Sequence, residues 1–213
     1  ERKTAKAAAT KVKVGYKICR FAQFPNGSKA VLPSILEELL EARKSTRKLI
    51  PLQKDDFMKN ILDKRQLSYK LTANSIYGQT GAKTSTFYER DVAASTTATG
   101  RKYLIYAKTV IEESFQNVKE EIDGVEYDVT ANYVYGDTDS VFFKFDIFDM
   151  NGRKIIGKES LKLTIELAKK AGKIVTNVGL KEPHDLEYEK TFYPFCLLSK
   201  KRYTGIDRKS TRL

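Results

Sequence analysis

Between residues 127 and 146 the chain alternates, turns at a glycine and alternates back, and this stretch constrains the fold more than any other. Tyr127, Val129, Ala131, Tyr133 and Tyr135 interleave with Asp128, Thr130 and Asn132. Gly136-Asp137-Thr138-Asp139-Ser140 follows, and Val141, Phe142 and Phe143 begin a return run that closes with Lys144-Phe145-Asp146. Period-two patterning on both sides of a Gly-Asp turn predicts an antiparallel hairpin. An Asp-x-Asp at its tip can aim the carboxylates of Asp137 and Asp139 at one point, and hard oxygen donors of this kind suit Mg²⁺. The same residues also suit an ordinary turn, because Gly and Asp dominate turns for backbone reasons alone. Taken by itself the pattern favours the turn, so the rest of the chain must decide.

Charge narrows the partners. The 213 residues carry 39 Lys and Arg against 27 Asp and Glu, a formal net charge of +12. Such an excess favours a polyanion, either nucleic acid or an acidic membrane surface. No apolar run reaches the ~20 residues of a membrane span, and nothing at the start resembles a signal peptide. Cys19 and Cys196 lie far apart without metal-ligand spacing, which fits a reduced, intracellular setting. His184 is the sole histidine, so histidine-based zinc sites and Ser-His-Asp catalysis have little to work with. The chain starts at Glu1 without an initiator Met and ends in a polar tail, and it reads as a fragment of something longer.

In chain order, residues 1–12 are Lys- and Ala-rich and read as a loose lead-in. Residues 14–24 alternate weakly, and Pro25-Asn26-Gly27 is a turn. Pro33 opens a helix at a position it favours, with Leu36, Leu39 and Leu40 on one stripe. At about 100° per residue, Arg43 and Arg47 fall within about 20° of Leu36. The stripe therefore turns basic halfway along the face that should be buried, which is either snorkelling or a face that meets an anion. The helix stops before Pro51. A second helix starts at Asp55-Asp56 and runs to Tyr77, with Gly78 and Gly81 ending it. Lys70, Asn74 and Tyr77 lie within about 60° of one another on it. Two antiparallel helices, each with a basic face, suggest a shared anionic ligand. A third helical stretch covers 86–117, and a fourth runs from about Lys158 to Asn177. The end reads as two strands, His184–Lys190 and Phe192–Ser199. Lys200-Lys201-Arg202-Tyr203 after them is either a generic basic turn or a tracker of a phosphate backbone. Glu187 and Glu189, alternating on the first of these strands, could face the carboxylate pair.

These elements occur in a specific order. Lys70-x₃-Asn74-x₂-Tyr77-Gly78 precedes Tyr135-Gly136-Asp137-Thr138-Asp139-Ser140, which precedes Lys200-Lys201-Arg202-Tyr203. From about residue 13 to 206 the chain resembles the B-family DNA polymerases. Its wording around Arg20–Pro25, Tyr77–Ala82 and Ala93–Gly100 is similar to that of large nucleocytoplasmic DNA viruses and, more distantly, to the eukaryotic delta-type enzyme. The resemblance implies an α+β architecture of antiparallel two-helix fingers and part of a palm, an antiparallel sheet backed by helices. It divides the chain into a lead-in from the palm over 1–29, fingers over 30–82, C-terminal palm over 83–206, and a disordered tail or truncation scar over 207–213.

By that resemblance, Asp139 is the principal metal ligand and Asp137 a supporting carboxylate, sharing two Mg²⁺ ions with a carboxylate outside this stretch. Arg43, Arg47, Lys70, Asn74 and Tyr77 match positions around the incoming dNTP. Lys200, Lys201, Arg202 and Tyr203 match the primer-template clamp, and Glu189 lies near the metals. The implied partners are primer-template DNA, dNTP and a processivity factor, with no membrane; the implied location is the host nucleus or a cytoplasmic virus factory. The family's other metal-ligand motif, Asp-x-x-Ser-Leu-Tyr-Pro-Ser, does not occur in these residues, so the 213 residues alone are expected to be inactive. Two rivals stand beside this reading. One is a non-catalytic DNA-binding remnant. The other is a metal-dependent nuclease or unrelated phosphotransferase, which leaves the two helix faces unexplained.

Overall fold

The computed structural model describes residue 15 and residues 17–208, so the lead-in over 1–12 and the last five residues of the tail lie outside the described residues. The chain is α+β and falls into two compact units that divide between Ser95 and Thr96.

The first unit is built on two long helices. α1 spans Val31–Leu49 and a 3-10 turn follows at Ile50–Leu52. Pro33 lies inside the first turn of α1, not at its start, where its missing N–H is still one of the donors no helix can satisfy. The α-helix gives way before Pro51, as expected. α2 spans Asp56–Gly81, and the Asp55 side chain caps it by accepting from the N–H groups of Phe57 and Met58. Gly78 is tolerated inside α2, which runs on to Gly81. Tertiary bonding explains the extra turn: Thr80 is buried, and its carbonyl accepts from Glu89 N–H at 2.9 Å.

Burial follows a heptad on both helices. Leu32, Leu36, Leu39, Arg43 and Thr46 are shielded positions of α1, with Ser34 and Ala42 beside them; Lys59, Leu62, Gln66, Tyr69, Ala73, Ile76 and Thr80 are those of α2. Spacings of three and four place each set on one stripe, the pattern of a two-helix seam. Two helices alone cannot cover both their flanks, and Leu40, Leu49, Phe57 and Ile61 remain exposed.

The second unit is a sheet with helices on one face. α3 spans Arg90–Ser114 and runs through the unit division, β1 spans Val118–Ile122, β2 Val125–Asp137, and β3 Ser140–Phe148. The strands form an antiparallel sheet in the order β1-β2-β3. α4 spans Gly157–Gly179, and β4 (Phe192–Ser199) pairs antiparallel with β5 (Arg202–Asp207) in a separate hairpin. The core gathers Ala107, Ile111 and Phe115 of α3, Tyr127, Val129 and Ala131 of β2, Phe145 and Ile147 of β3, and Leu163, Leu167, Ala171 and Val175 of α4. Every second residue of β2 from Tyr127 to Ala131 enters it, as the alternation requires. Leu167 is 1% exposed, and truncating a side chain so enclosed costs about 2–5 kcal/mol.

Three expectations need correction. β1 was not foreseen, although Asp123 and Gly124 both take positive φ (52° and 79°) in the two-residue turn that joins it to β2. Residues 184–190 form no strand. Leu186 N–H bonds instead to the Thr176 hydroxyl of α4 at 3.0 Å, and the segment lies so close that a Cβ on Gly172 would meet the Leu186 carbonyl oxygen at 2.5 Å. Asp207 and Arg208, assigned to the tail, close the last hairpin: Asp207 pairs with Phe192, and Arg208 N–H bonds the Thr191 carbonyl at 2.7 Å.

Candidate functional site

A β-bulge decides which way the carboxylate hairpin faces. Tyr133 pairs with Phe143, but Tyr135 pairs with Phe142, so Val134 is an extra residue on β2. Since side chains alternate between faces, one extra residue inverts everything beyond it. Tyr127, Val129 and Ala131 face the helices. Simple parity would send Tyr135 and Asp137 the same way, and the bulge sends them to the opposite face. Gly136 now takes the helix side, where a Cβ would lie 2.6 Å from the Tyr133 hydroxyl and 3.3 Å from Leu104 Cδ2.

On the face that the bulge turns outward, an aromatic cluster joins the two hairpins. Phe142 stacks on Phe195 (centroids 5.6 Å apart) and meets Tyr203 edge-on at 5.1 Å, and Tyr135 and Phe192 complete the group. Aromatic pairs in this range attract beyond their area alone. The cluster aligns two tight turns. In the first, Asp137 pairs with Ser140 and the loop is Thr138-Asp139; in the second, Ser199 pairs with Arg202 and the loop is Lys200-Lys201. Each loop contains one non-glycine residue at positive φ, Thr138 at 56° and Lys201 at 63°.

Across this alignment Lys201 bonds the first hairpin twice, once to Asp137 and once to Tyr135. The Lys201 ammonium donates to Asp137 Oδ2 at 2.8 Å, and the Lys201 backbone N–H donates to the Tyr135 hydroxyl at 2.8 Å. Thr138 Oγ1 donates to Asp137 Oδ1 at 3.2 Å. The Lys201 hydrogen bond holds the Asp137 carboxyl below its usual value, with further help from the positive charges of Lys201 and Lys200. In return, Asp137 raises the Lys201 ammonium. As a carboxylate, Asp137 is an acceptor only, which suits the donors around it. Asp139, one residue past the turn's strained centre, has its N–H bonded to the Asp137 carbonyl at 2.7 Å.

Two adjacent carboxylates fit part of the oxygen donor set of a hard divalent cation. They do not complete one: among the described residues no group of three or more His, Cys, Asp or Glu side chains could hold a metal ion. Glu187 and Glu189 are exposed and line the same cleft of about 670 Å³ as Asp139. They reach it from an irregular segment, not from a strand, and Glu189 lies 3.7 Å from Lys190 Nζ.

The basic quartet separates into two kinds of residue. Lys201 is tied to Asp137, and the Tyr203 ring belongs to the aromatic cluster, while Lys200 and Arg202 are exposed. In the first unit, Arg43 occupies the helix seam and its Nε donates to Gln66 Oε1 at 3.2 Å. Arg47 is exposed one turn further on. Lys70, Asn74 and Tyr77 are also exposed, each one position past the seam residues Tyr69, Ala73 and Ile76 and so rotated about 100° from them. Sequence reading missed Tyr135 and Gln66 as partners of Lys201 and Arg43. Tyr135 looked like one more member of the alternation, and nothing in a single sequence marks which glutamine meets an arginine across a helix pair.

Comparison with known proteins places the chain. The model of DNA polymerase family B matches residues 1–212. A DNA polymerase of Phaeocystis pouchetii virus is 60% identical over 183 residues, covering 85% of this chain and 17% of that protein. One from Pyramimonas orientalis virus is 41% identical over 240 residues, with 92% and 18% covered. The delta catalytic subunit of Dictyostelium discoideum is 37% identical over 178 residues, with 84% and 14% covered. The chain thus spans less than a fifth of the length of these relatives. With a match over almost all of its residues, and with relatives this similar, the chain belongs to DNA polymerase family B.

Proposed function

We propose that the chain forms the fingers (30–82) and the C-terminal palm (83–206) of a DNA-directed DNA polymerase that transfers deoxynucleotides from dNTPs to a primer 3′-hydroxyl in DNA replication. The observation that carries this reading is the hairpin pair in which Asp137 and Asp139 sit beside the Lys200-Lys201 turn. Asp139 and Asp137 would hold Mg²⁺, which in phosphoryl transfer neutralises charge on the reacting oxygens. The Lys201 hydrogen bond further favours the ionised form of Asp137. Tyr135 fixes the Lys201 backbone, so the ammonium is delivered from a set direction. Lys200 and Arg202, exposed beside it, track the primer-template backbone, and Tyr203 anchors their hairpin.

On the fingers, Arg43, Arg47 and Lys70 bind the triphosphate of the incoming dNTP, Asn74 supports them and Tyr77 packs against the nascent base pair. The missing Asp-x-x-Ser-Leu-Tyr-Pro-Ser motif supplies the further carboxylate from elsewhere in the enzyme, and the 213 residues alone are inactive. No described helix is long and apolar enough to cross a membrane; the enzyme works inside the cell, in the host nucleus or a cytoplasmic virus factory, with a processivity factor.

The test is primer extension by the full-length polymerase carrying Asp139→Asn. Extension should fall by about 10²–10³-fold or more, the scale of losing one preorganised electrostatic group, while primer-template binding persists. Undiminished extension would remove Asp139 from the site.

A further inference from the structure

Arg43 is unusual for a triphosphate ligand because it sits in the seam between two helices and not on an open face. Its neighbours along α1, Leu39 and Thr46, are shielded positions of the same stripe, and so is Gln66 on α2. A guanidinium here must be satisfied or left at a cost. Gln66 Oε1 accepts from Arg43 Nε at 3.2 Å, and Gln66 Nε2 donates to Asp63 Oδ1 at 3.1 Å. The amide is thus held at both ends, oxygen toward the arginine and nitrogen toward the acid one turn back. Bonding at Nε leaves the two terminal nitrogens of Arg43 available as a fork, the part of the group that matches phosphate oxygens.

We propose that Gln66 is a positioning residue for the incoming nucleotide, acting through Arg43. This inference rests on the triphosphate role of Arg43 proposed above. Gln66 lies one helical turn before Lys70, so α2 would orient one cation and present a second from adjacent turns. A neutral amide is the suitable partner: a carboxylate at the same place would pair with the guanidinium and compete with the phosphates for its charge. A polar pair in a helix seam can also serve simply to fix register, and the two roles predict different measurements.

The experiment is rapid-quench single-nucleotide incorporation by the full-length polymerase, with dATP opposite template T, for Gln66→Ala, Gln66→Glu, Arg43→Ala and the Arg43→Ala/Gln66→Ala double variant, with thermal unfolding of each. Gln66→Ala should raise the apparent Kd for dATP about tenfold, the scale of one charge-assisted hydrogen bond, with a smaller change in the maximal rate. Gln66→Glu, nearly isosteric, should raise it at least as much. In the Arg43→Ala background, Gln66→Ala should change little. A Kd unchanged in both Gln66 variants, or penalties that simply add in the double variant, overturns the proposal; a lowered melting temperature with unchanged Kd assigns Gln66 to register alone. If Arg43→Ala itself leaves the Kd for dATP unchanged, the triphosphate reading fails first, and this failure is separate from one confined to Gln66.

Discussion

Lys201 Nζ lies 2.8 Å from Asp137 Oδ2, a contact between two hairpin turns 64 residues apart in the chain. Lys201 is exposed and Asp137 half-buried, with side chains 62% and 23% accessible, so the contact stays open to solvent and adds little to stability. Its importance is positional. A lysine held on a site carboxylate puts a positive charge beside Lys200 and Arg202, the residues proposed above to track the primer-template backbone.

Replacing Lys201 with Ala in the full-length enzyme should therefore act on DNA. The slope of log affinity for primer-template against log salt should become shallower by about one, the signature of one lost cation near the backbone. Lys200→Ala should do the same while leaving the Lys201–Asp137 hydrogen bond in place. A slope unchanged in both variants would remove this turn from the DNA interface.

Gly136→Ala should destabilise the fold. Its Cβ would meet the Tyr133 hydroxyl at 2.6 Å, the Ser140 carbonyl at 3.2 Å and Leu104 at 3.3 Å. Overpacking of this kind costs about 1–3 kcal/mol, a drop of about 2–4 °C in Tm for each kcal/mol in a chain of this size. The nearest atom is a hydroxyl, so adding Tyr133→Phe should return part of the loss. Thermal unfolding of the single and double variants checks both statements.

Thr138 is β-branched and takes φ of 56°, a conformation few such residues adopt. Thr138→Gly should relieve strain of order 1 kcal/mol and raise the unfolding midpoint. It also removes the hydroxyl that donates to Asp137, so primer extension should fall as stability rises. A variant that loses stability would show that the hydroxyl contact outweighs the strain.

Acid should loosen the second unit in a defined direction. Burial pushes the Asp146 carboxyl up, but hydrogen bonds from Lys154 and Lys144 outweigh it and the net shift is downward; Asp137 is also lowered. A carboxyl depressed in the folded state stabilises above its unfolded pKa, and that contribution is lost as pH falls through the folded pKa. Urea midpoints should hold steady through neutral pH and decline below the ordinary carboxylate range. With Asp146→Asn the decline should be shallower.

The helices and the central hairpin were legible because their signals are local. Asp55 caps α2 where an acidic start was expected, and the period-two run of 127–131 enters the core as written. What escaped depends on contacts distant in sequence. Leu186 and Tyr188 alternate with Glu187 and Glu189 as a strand would, yet the N–H of Leu186 goes to a helix side chain. The Asp137–Lys201 and Arg43–Gln66 pairs join separate elements, and no spacing rule within one element reports them. The role assigned to Asp137 follows from family resemblance; the direction it faces follows only from the folded strand and its bulge.

That direction depends on an odd-numbered count. Val134 makes β2 one residue longer than its partner over the same ladder, so the length of this strand carries information as well as its composition. Removing Val134 would join Tyr133 directly to Tyr135, so Tyr135 and Asp137 would keep the outward face on a more regular ladder. Forcing Val134 into regular alternation would instead carry Asp137 toward Leu104 and set Gly136 opposite Lys201. One more residue between Val134 and Asp137, with no second bulge to absorb it, would do the same. For this segment a change of length matters through the register it leaves behind, and only a register that keeps Asp137 across from Ser140 keeps the two turns chemically matched.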